Sequence, residues 1–236
     1  SVPRRVALAG GSTTVYPVWT PDGTHISYTS TRAGVFGLYQ VPVDGGGPQP
    51  LFTAAGPLLE IVWAPDARSV VYRQGSPGDL WYRRLDGDTT DQVIAATSAA
   101  ERMPALSRNG RWLAYASNES GRDEVYVLPF PPQGSGRVQV SDQGGTQPVW
   151  APDGRALIYR RGNDFIRADL RTVGGLAVTA RRVLLSGEFD WGTRLHAAYD
   201  LHPDGERFVV VAPGDERPEL MVVLNWFQEL KQQISR

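Results

Sequence analysis

The chain has no cysteine, so neither a disulfide nor a thiolate-held metal can form within it. It has a single lysine, Lys231, and its other basic residues are arginines. Neither sign of charge dominates: 24 basic residues face 25 acidic ones, for a net charge of −1. Phosphate-backbone recognition needs a surplus of positive charge, so a nucleic-acid binder is not expected. No apolar run approaches the ~20 residues that a membrane-crossing helix requires. The first residues read as a strand rather than a signal peptide. Ser1 in place of an initiating methionine points to a piece of a longer protein.

Catalytic signatures are scarce too. The nucleophile-elbow pattern G-x-S-x-G is missing from the 236 residues: Gly75–Gly78 and Gly134–Gly136 have the wrong spacing. No kinase phosphate loop or catalytic loop is present. There are three histidines, His25, His196 and His202; His202 reads as part of a turn and His25 as a surface residue, and His196 by itself is fewer donors than a metal site needs.

What the chain does have is a motif that returns five times. It reads PVWTPDG at Pro17–Gly23, IVWAPDA at Ile61–Ala67, PALSRNG at Pro104–Gly110, PVWAPDG at Pro148–Gly154 and DLHPDG at Asp200–Gly205. The turn residues Asp22, Asp66, Asn109, Asp153 and Asp204 are spaced 44, 43, 44 and 51 apart. A period in the forties, with one tight turn and several short strands per unit, is the mark of a propeller blade. Within the turn, Pro presets φ, Asp bonds the backbone ahead of it, and Gly accepts positive φ.

Two further columns repeat with the turn. Ile26, Val70, Leu113, Leu157 and Phe208 occupy one strand position. Tyr28, Tyr72, Tyr115, Tyr159 and Val210 follow two residues later. A period of two inside a period near 44 puts both columns on one sheet face, as filler between neighbouring sheets. Trp19, Trp63, Leu106, Trp150 and Leu201 form a third column at the end of each first strand.

The expected fold is therefore all-β: a propeller of four-stranded antiparallel blades over residues 1–224. Arg4–Gly10 (RRVALAG) resembles Arg181–Gly187 (RRVLLSG), so the N-terminal strand is expected to close a five-bladed ring. A six-bladed parent cut at Ser1 is the alternative. Asn225 with Gln228 makes a capping box, and Trp226, Phe227, Leu230 and Ile234 share a helical face. Residues 225–236 are thus expected to form a short amphipathic helix.

At these motifs the sequence resembles the TolB-type propeller repeat family, and more closely the propeller regions C-terminal to bacterial serine/threonine protein kinases. Trp112–Pro129, Gly144–Tyr159, Tyr199–Phe208 and Asn225–Lys231 carry the resemblance. It implies a propeller outside the cytoplasm, tethered to an intracellular kinase by a membrane helix beyond this chain. It implies no agreed ligand, so no binding residue is carried over. The departures are Arg108–Asn109 in place of Pro–Asp and the long connection before Asp200.

If the fold explains the recurring residues, function lies in the others. They fall into two loop sets on the face opposite the Pro-Asp-Gly turns. The first-strand set holds Thr14, Tyr16, Glu60, Glu101, Arg102, Gln147, Arg194 and His196. The loops between second and third strands add Arg32, Arg73, Asn118, Arg122, Arg160, Arg161 and Asn163. The connection Ser186–His196 brings Phe189 and Trp191. Loops on a rigid scaffold are where function concentrates, and a mixed Arg, Glu and aromatic surface suits a protein, peptide or small polar ligand. Tyr16, Glu60, Glu101, Arg102, Gln147, Phe189, Trp191, Arg194 and His196 are the expected contact residues. No catalytic residue, cofactor, metal, nucleic acid or membrane insertion is expected of this chain, and a monomer is.

The run Asp86–Asp91 (DGDTTD) lacks the full order of a calcium loop and reads as a solvated turn. The leading reading is a non-catalytic sensing or interaction module. The rivals are a propeller joined to a peptidase or other hydrolase, a stand-alone periplasmic TolB-like partner, and a metal-dependent lactonase-like propeller.

Overall fold

The computed structural model describes residues 14–133, 136–189, 196–205, 207–212 and 219–223. The expected N-terminal closing strand and the expected helix at 225–236 lie outside them. Two compact units are present, Ser1–Glu101 and Arg102–Arg236.

The first unit carries two four-stranded antiparallel sheets, each in sequential order. One is β1 (Thr14–Trp19), β2 (His25–Ser30), β3 (Phe36–Pro42) and β4 (Gln49–Ala54). The other is β5 (Leu58–Trp63), β6 (Ser69–Gln74), β7 (Asp79–Arg84) and β8 (Gln92–Ala95). Their facing sides bury Leu38, Phe52, Leu58, Ile61, Val70 and Tyr72 together. The indole Nε1 of Trp63 reaches across to donate to the Ser27 hydroxyl at 2.7 Å.

The second unit begins within β9 (Glu101–Leu106). Its first sheet continues through β10 (Trp112–Ser117), β11 (Glu124–Pro129) and the two-residue β12 (Val138–Gln139). Next come β13 (Thr146–Trp150), β14 (Ala156–Arg161), β15 (Asp164–Arg171) and β16 (Ala177–Ser186). A three-stranded sheet follows, of β17 (Tyr199–Leu201), β18 (Phe208–Ala212) and β19 (Glu219–Val223). Leu157, Tyr159 and Trp150 pack against Ala114, Val125 and Val127. Trp150 Nε1 donates to the Ala105 carbonyl at 3.0 Å, as Trp63 does to its own preceding sheet. Phe165 then meets Tyr199, Phe208 and Phe189 edge-on or tilted, with ring centroids 4.8, 5.1 and 5.4 Å away.

The two strand columns are buried as the period of two requires: Val70, Leu113 and Leu157 are inaccessible, as are Tyr72, Tyr115 and Tyr159 within a per cent. Trp19 departs from its column, being 58% exposed where Trp150 is 7% exposed.

The repeated turn is an Asx turn. Asp22 Oδ1 accepts from the Thr24 amide at 3.0 Å and from the Thr20 hydroxyl at 2.6 Å. These bonds, the hydroxyl's first, hold its carboxyl at a pKa of about 2. Asp66, Asn109 and Asp153 accept from the amides of Arg68, Arg111 and Arg155 at 2.9–3.1 Å. The residue after each sits at left-handed φ: Gly23 at 70°, Ala67 at 56°, Gly110 at 67°, Gly154 at 66°. Gly205 does the same at 72°. Ala67 alone of the five bears a Cβ there.

A second repeat was not visible in the residue types. Tyr16, Glu60, Met103 and Gln147 all adopt left-handed φ, of 56°, 44°, 56° and 55°. Their spacing is 44, 43 and 44, in step with the turns. The ladder register slips around Tyr16, Glu60 and Gln147, between Val15 and Val18, Leu59 and Ile61, and Thr146 and Val149. Each of these first strands is therefore bulged, and a bulge re-aims the side chain it carries. Pro17, Pro104 and Pro148 follow three of the four, and at Pro17 and Pro148 the broken ladder asks for no N–H.

Candidate functional site

The bulges decide where the first-strand candidates go. Glu60 is buried, with its Oε2 2.6 Å from Nε of Arg73, which is equally buried on the paired strand. The contact is an ion pair rather than an aligned hydrogen bond. Two residues singled out as surface candidates thus spend their charges on each other. Glu101 is fully buried: Oε1 accepts from the Thr97 hydroxyl at 2.6 Å, while Oε2 has no hydrogen-bond partner. Gln147 is buried and does structural duty. Its backbone N–H donates to Met103 Sδ at 3.2 Å, its Oε1 accepts from the Ala198 amide at 3.2 Å, and its backbone carbonyl accepts from the Tyr199 hydroxyl at 2.7 Å.

Tyr16 is half-buried and His196 exposed. Phe189 is half-buried against the Phe165 cluster, so its ring serves packing. Trp191 and Arg194 lie outside the described residues. His202 stands 2.8 Å from Asp204 within its own turn, as its position before Pro-Asp-Gly suggested.

In the second unit the two loop sets meet. Arg102 and Met103 from β9, Arg122 and Asp123 from the β10–β11 loop, and Arg160–Gly162 from the β14–β15 hairpin line one cavity of about 280 Å³. Gln143–Gly145 and the start of β13, Thr146 and Gln147, complete it. Four arginines and one aspartate therefore line a single space.

The walls are held by a buried network. Glu124, fully buried, accepts from Arg122 Nε at 2.6 Å and from the Gly144 amide at 3.0 Å. Its other oxygen accepts from the Ser141 hydroxyl, which in turn accepts from the Val125 amide at 2.7 Å. Burying a carboxylate is tolerable only with such compensation. Arg122 also donates to the Asp142 carbonyl at 2.7 Å, fixing the far lip. Gly145 is close-packed. A Cβ there would stand 2.8 Å from Ser141 Cβ and 3.0 Å from a Tyr159 ring carbon. Burial pushes the Tyr159 phenol up to about 12, and its hydroxyl has no hydrogen-bond partner.

Around the opening, Arg102 pairs with Asp123, and the buried Arg102 Nε has no hydrogen-bond partner. Arg160 Nε donates to the Gly162 carbonyl at 2.7 Å, and Arg161 lies 3.3 Å from Asp164 Oδ2. Such a cavity can hold and orient an anion.

Sequence reasoning named Arg102, Gln147, Arg122, Arg160 and Arg161, but in two separate sets. It missed Met103, Asp123, Gln143, Gly144 and Gly145. The adjacent glycines Gly144–Gly145 before a first strand were the available signal, since such pairs mark close backbone approach.

Elsewhere, the acidic run is consumed locally. Asp86 pairs with Arg84 at 2.6 Å, Asp91 with Arg83 at 2.9 Å, and Asp88 accepts from the Thr90 amide at 3.0 Å. Among the described residues no group of three His, Cys, Asp or Glu converges to hold a metal. No helix among them is long and apolar enough to cross a membrane.

Solved structures with this arrangement of sheets are at hand. A putative TolB from Agrobacterium tumefaciens superposes with a TM-score of 0.70 at 15% identity, over 94% of this chain and 80% of that one. TolB from Acinetobacter baumannii superposes at 0.67 and 15%, over 92% and 53%. The fold is a TolB-like β-propeller. A Mycobacterium tuberculosis puromycin-hydrolyzing peptidase superposes at 0.65 and 16%, over 91% of this chain but 37% of that one. By sequence, an uncharacterized protein of Agrobacterium fabrum is 25% identical over 161 residues, 61% of this chain. The chain spans about half the length of that relative, 53%. No family model matches the chain.

Proposed function

We propose that this chain is a non-catalytic binding module, a TolB-like propeller that presents the arginine-lined cavity of its second unit to a protein, peptide or small polar ligand. The observation that carries this reading is the convergence of two loop sets, from three strands and three connections, on one walled cavity. Function on repeat scaffolds concentrates where loops are held by rigid strands. The module belongs outside the cytoplasm, as the sensing end of a bacterial receptor-type serine/threonine kinase. The resemblance of Trp112–Pro129 and Tyr199–Phe208 to kinase-linked propellers supports that placement. The test has two parts. The coding sequence contiguous with Ser1 should encode a kinase catalytic loop and an apolar helix of ~20 residues. The purified chain should bind without turning anything over; turnover lost on substituting Glu101 and His196 would sink the binding-module reading.

A second reading is favoured by one observation, the superposition on 37% of a puromycin-hydrolyzing peptidase. On it the chain is the propeller part of a hydrolase. A contiguous domain bearing G-x-S-x-G would establish it in place of the first.

A further inference from the structure

The last strand of a four-stranded sheet has a neighbouring strand on one side alone. Three of these last strands are short: β4 has six residues, β8 four and β12 two. The fourth, β16, has ten, Ala177–Ser186. It pairs with β15 along one edge. Along the other edge its backbone N–H and C=O groups bond nothing among the described residues. Thr179, Ala180, Arg181, Arg182 and Val183 are all exposed. An open row of this kind is a template for a further strand. Bulges blunt such edges, and β16 has two, where its register slips at Thr179 and at Leu184. Between them Ala180–Val183 runs in unbroken register with Ile166–Asp169.

The side chains of this stretch say what would suit it. Arg182 stands directly opposite Arg167, and like charges so placed repel. Asp169 lies 2.6 Å from Arg167 Nε. Arg182 pairs with no carboxylate among the described residues. Arg181, on the other face, is tied to the neighbouring sheet. Its Nε donates to the Val140 carbonyl at 2.7 Å, and Asp142 stands 3.6 Å from its Nη1. Val183 shares that face and is 42% exposed.

We propose that the outer edge of β16 is a docking site for an extended acidic segment of a partner protein, which adds a fifth strand to the sheet. Main-chain bonds to Ala180–Val183 hold the segment. An acidic residue opposite Arg182 completes a row of arginine, arginine and carboxylate across three strands, and an adjacent apolar residue covers Val183. A second copy of β16 suits the edge less, because antiparallel pairing about its centre sets arginines against arginines. No residue of β16 lines the arginine-rich cavity, so this proposal stands apart from the function proposed there.

The full chain is titrated with the acetylated, amidated peptide Thr-Val-Glu-Val-Thr, and its backbone amides are followed by NMR. The comparison peptides carry Lys in place of Glu, or N-methyl groups on one or the other alternate set of amides. The Glu peptide should bind saturably with a Kd on the order of 1 mM, with shifts centred on β15 and β16. The Lys peptide should bind about tenfold more weakly or less, and the difference should shrink as salt is raised. One N-methylated form should bind and the other should not, because a docked strand offers one of its two edges. Arg182→Glu relieves the repulsion from Arg167, so the fold should hold, and the preference should turn to the Lys peptide. Arg182→Gln should bring the two peptides to equal affinity. Any of five results overturns the proposal: no saturable binding, equal affinity for the Glu and Lys peptides, equal affinity for the two N-methylated forms, shifts centred on the cavity instead of β16, or dimerisation through β16 in sedimentation that excludes the peptide.

Discussion

Replacing Ala67 by glycine should stabilise the protein, against the usual direction of such a change. Ala67 takes the turn position that glycine holds in four other repeats, at a φ of 56°. An L-residue in the left-handed region costs ~1–2 kcal/mol. Glycine returns part of that gain through its freer unfolded chain, about 0.4–1 kcal/mol. The methyl group is exposed, so its removal forfeits no packing. Ala67→Gly should therefore add about 0.5–1 kcal/mol. For a chain of this size 1 kcal/mol moves Tm by roughly 2–4 °C, so a rise of about 1–4 °C is expected in thermal melts. In urea the midpoint should rise with the slope unchanged. If the two compact units melt separately, only the transition of Ser1–Glu101 should move. The reciprocal change, Gly23→Ala, meets no atom within 4 Å and sits at a φ of 70°, so it should destabilise by conformational strain alone, about 0.5–1 kcal/mol. A fall in Tm for Ala67→Gly, or the same sign for both variants, would refute the reasoning.

Other consequences can be measured on the same preparations. Arg73→Met strands a buried Glu60 and should cost ~3–5 kcal/mol, whereas adding Glu60→Met should recover most of it; a double-mutant cycle in urea reads the difference. Trp150→Phe loses the bond to the Ala105 carbonyl and should cost ~1–2 kcal/mol, while Trp19→Phe should stay within about 0.5 kcal/mol. Asp22 has a folded pKa of about 2, below its ordinary 3.8, so its stabilising contribution is present above that ordinary value and fades as pH falls toward 2. Asp22→Asn keeps an acceptor, as Asn109 does, and should flatten stability between pH 4 and 2 relative to the parent; an unchanged acid limb in pH-dependent melts would count against the Asx-turn account.

The repeat was legible because its causes are local. Pro-Asp-Gly presets a turn whatever surrounds it, and alternation of two puts Val70 and Tyr72 on one face without knowledge of the neighbour. The bulges were not legible, because left-handed φ at Tyr16, Glu60, Met103 and Gln147 follows from pairing register rather than from residue type; the prolines at 17, 104 and 148 were the surviving trace. Site prediction divided along the same line. The loop face could be read from strand order, so Arg102, Arg122, Arg160 and Arg161 were all named. Which of them share a cavity depends on which sheets pack face to face, and no spacing states that. Glu60 and Arg73 show the opposite error: each looks available by itself, and strand pairing closes them into one pair.

The bulged strands also separate two things that a duplicated unit usually passes on together. One backbone conformation, recurring in step with the turns, carries a phenol at Tyr16, a carboxylate at Glu60, a thioether at Met103 and a carboxamide at Gln147. The chain's path at that point is therefore indifferent to the chemistry mounted on it. Each copy has instead been fitted to its own surroundings: Glu60 to a buried arginine on the paired strand, Gln147 to the Ala198 amide of the next sheet. A designer who exchanged residues between copies would keep the strand's path but would have to exchange those partners with them.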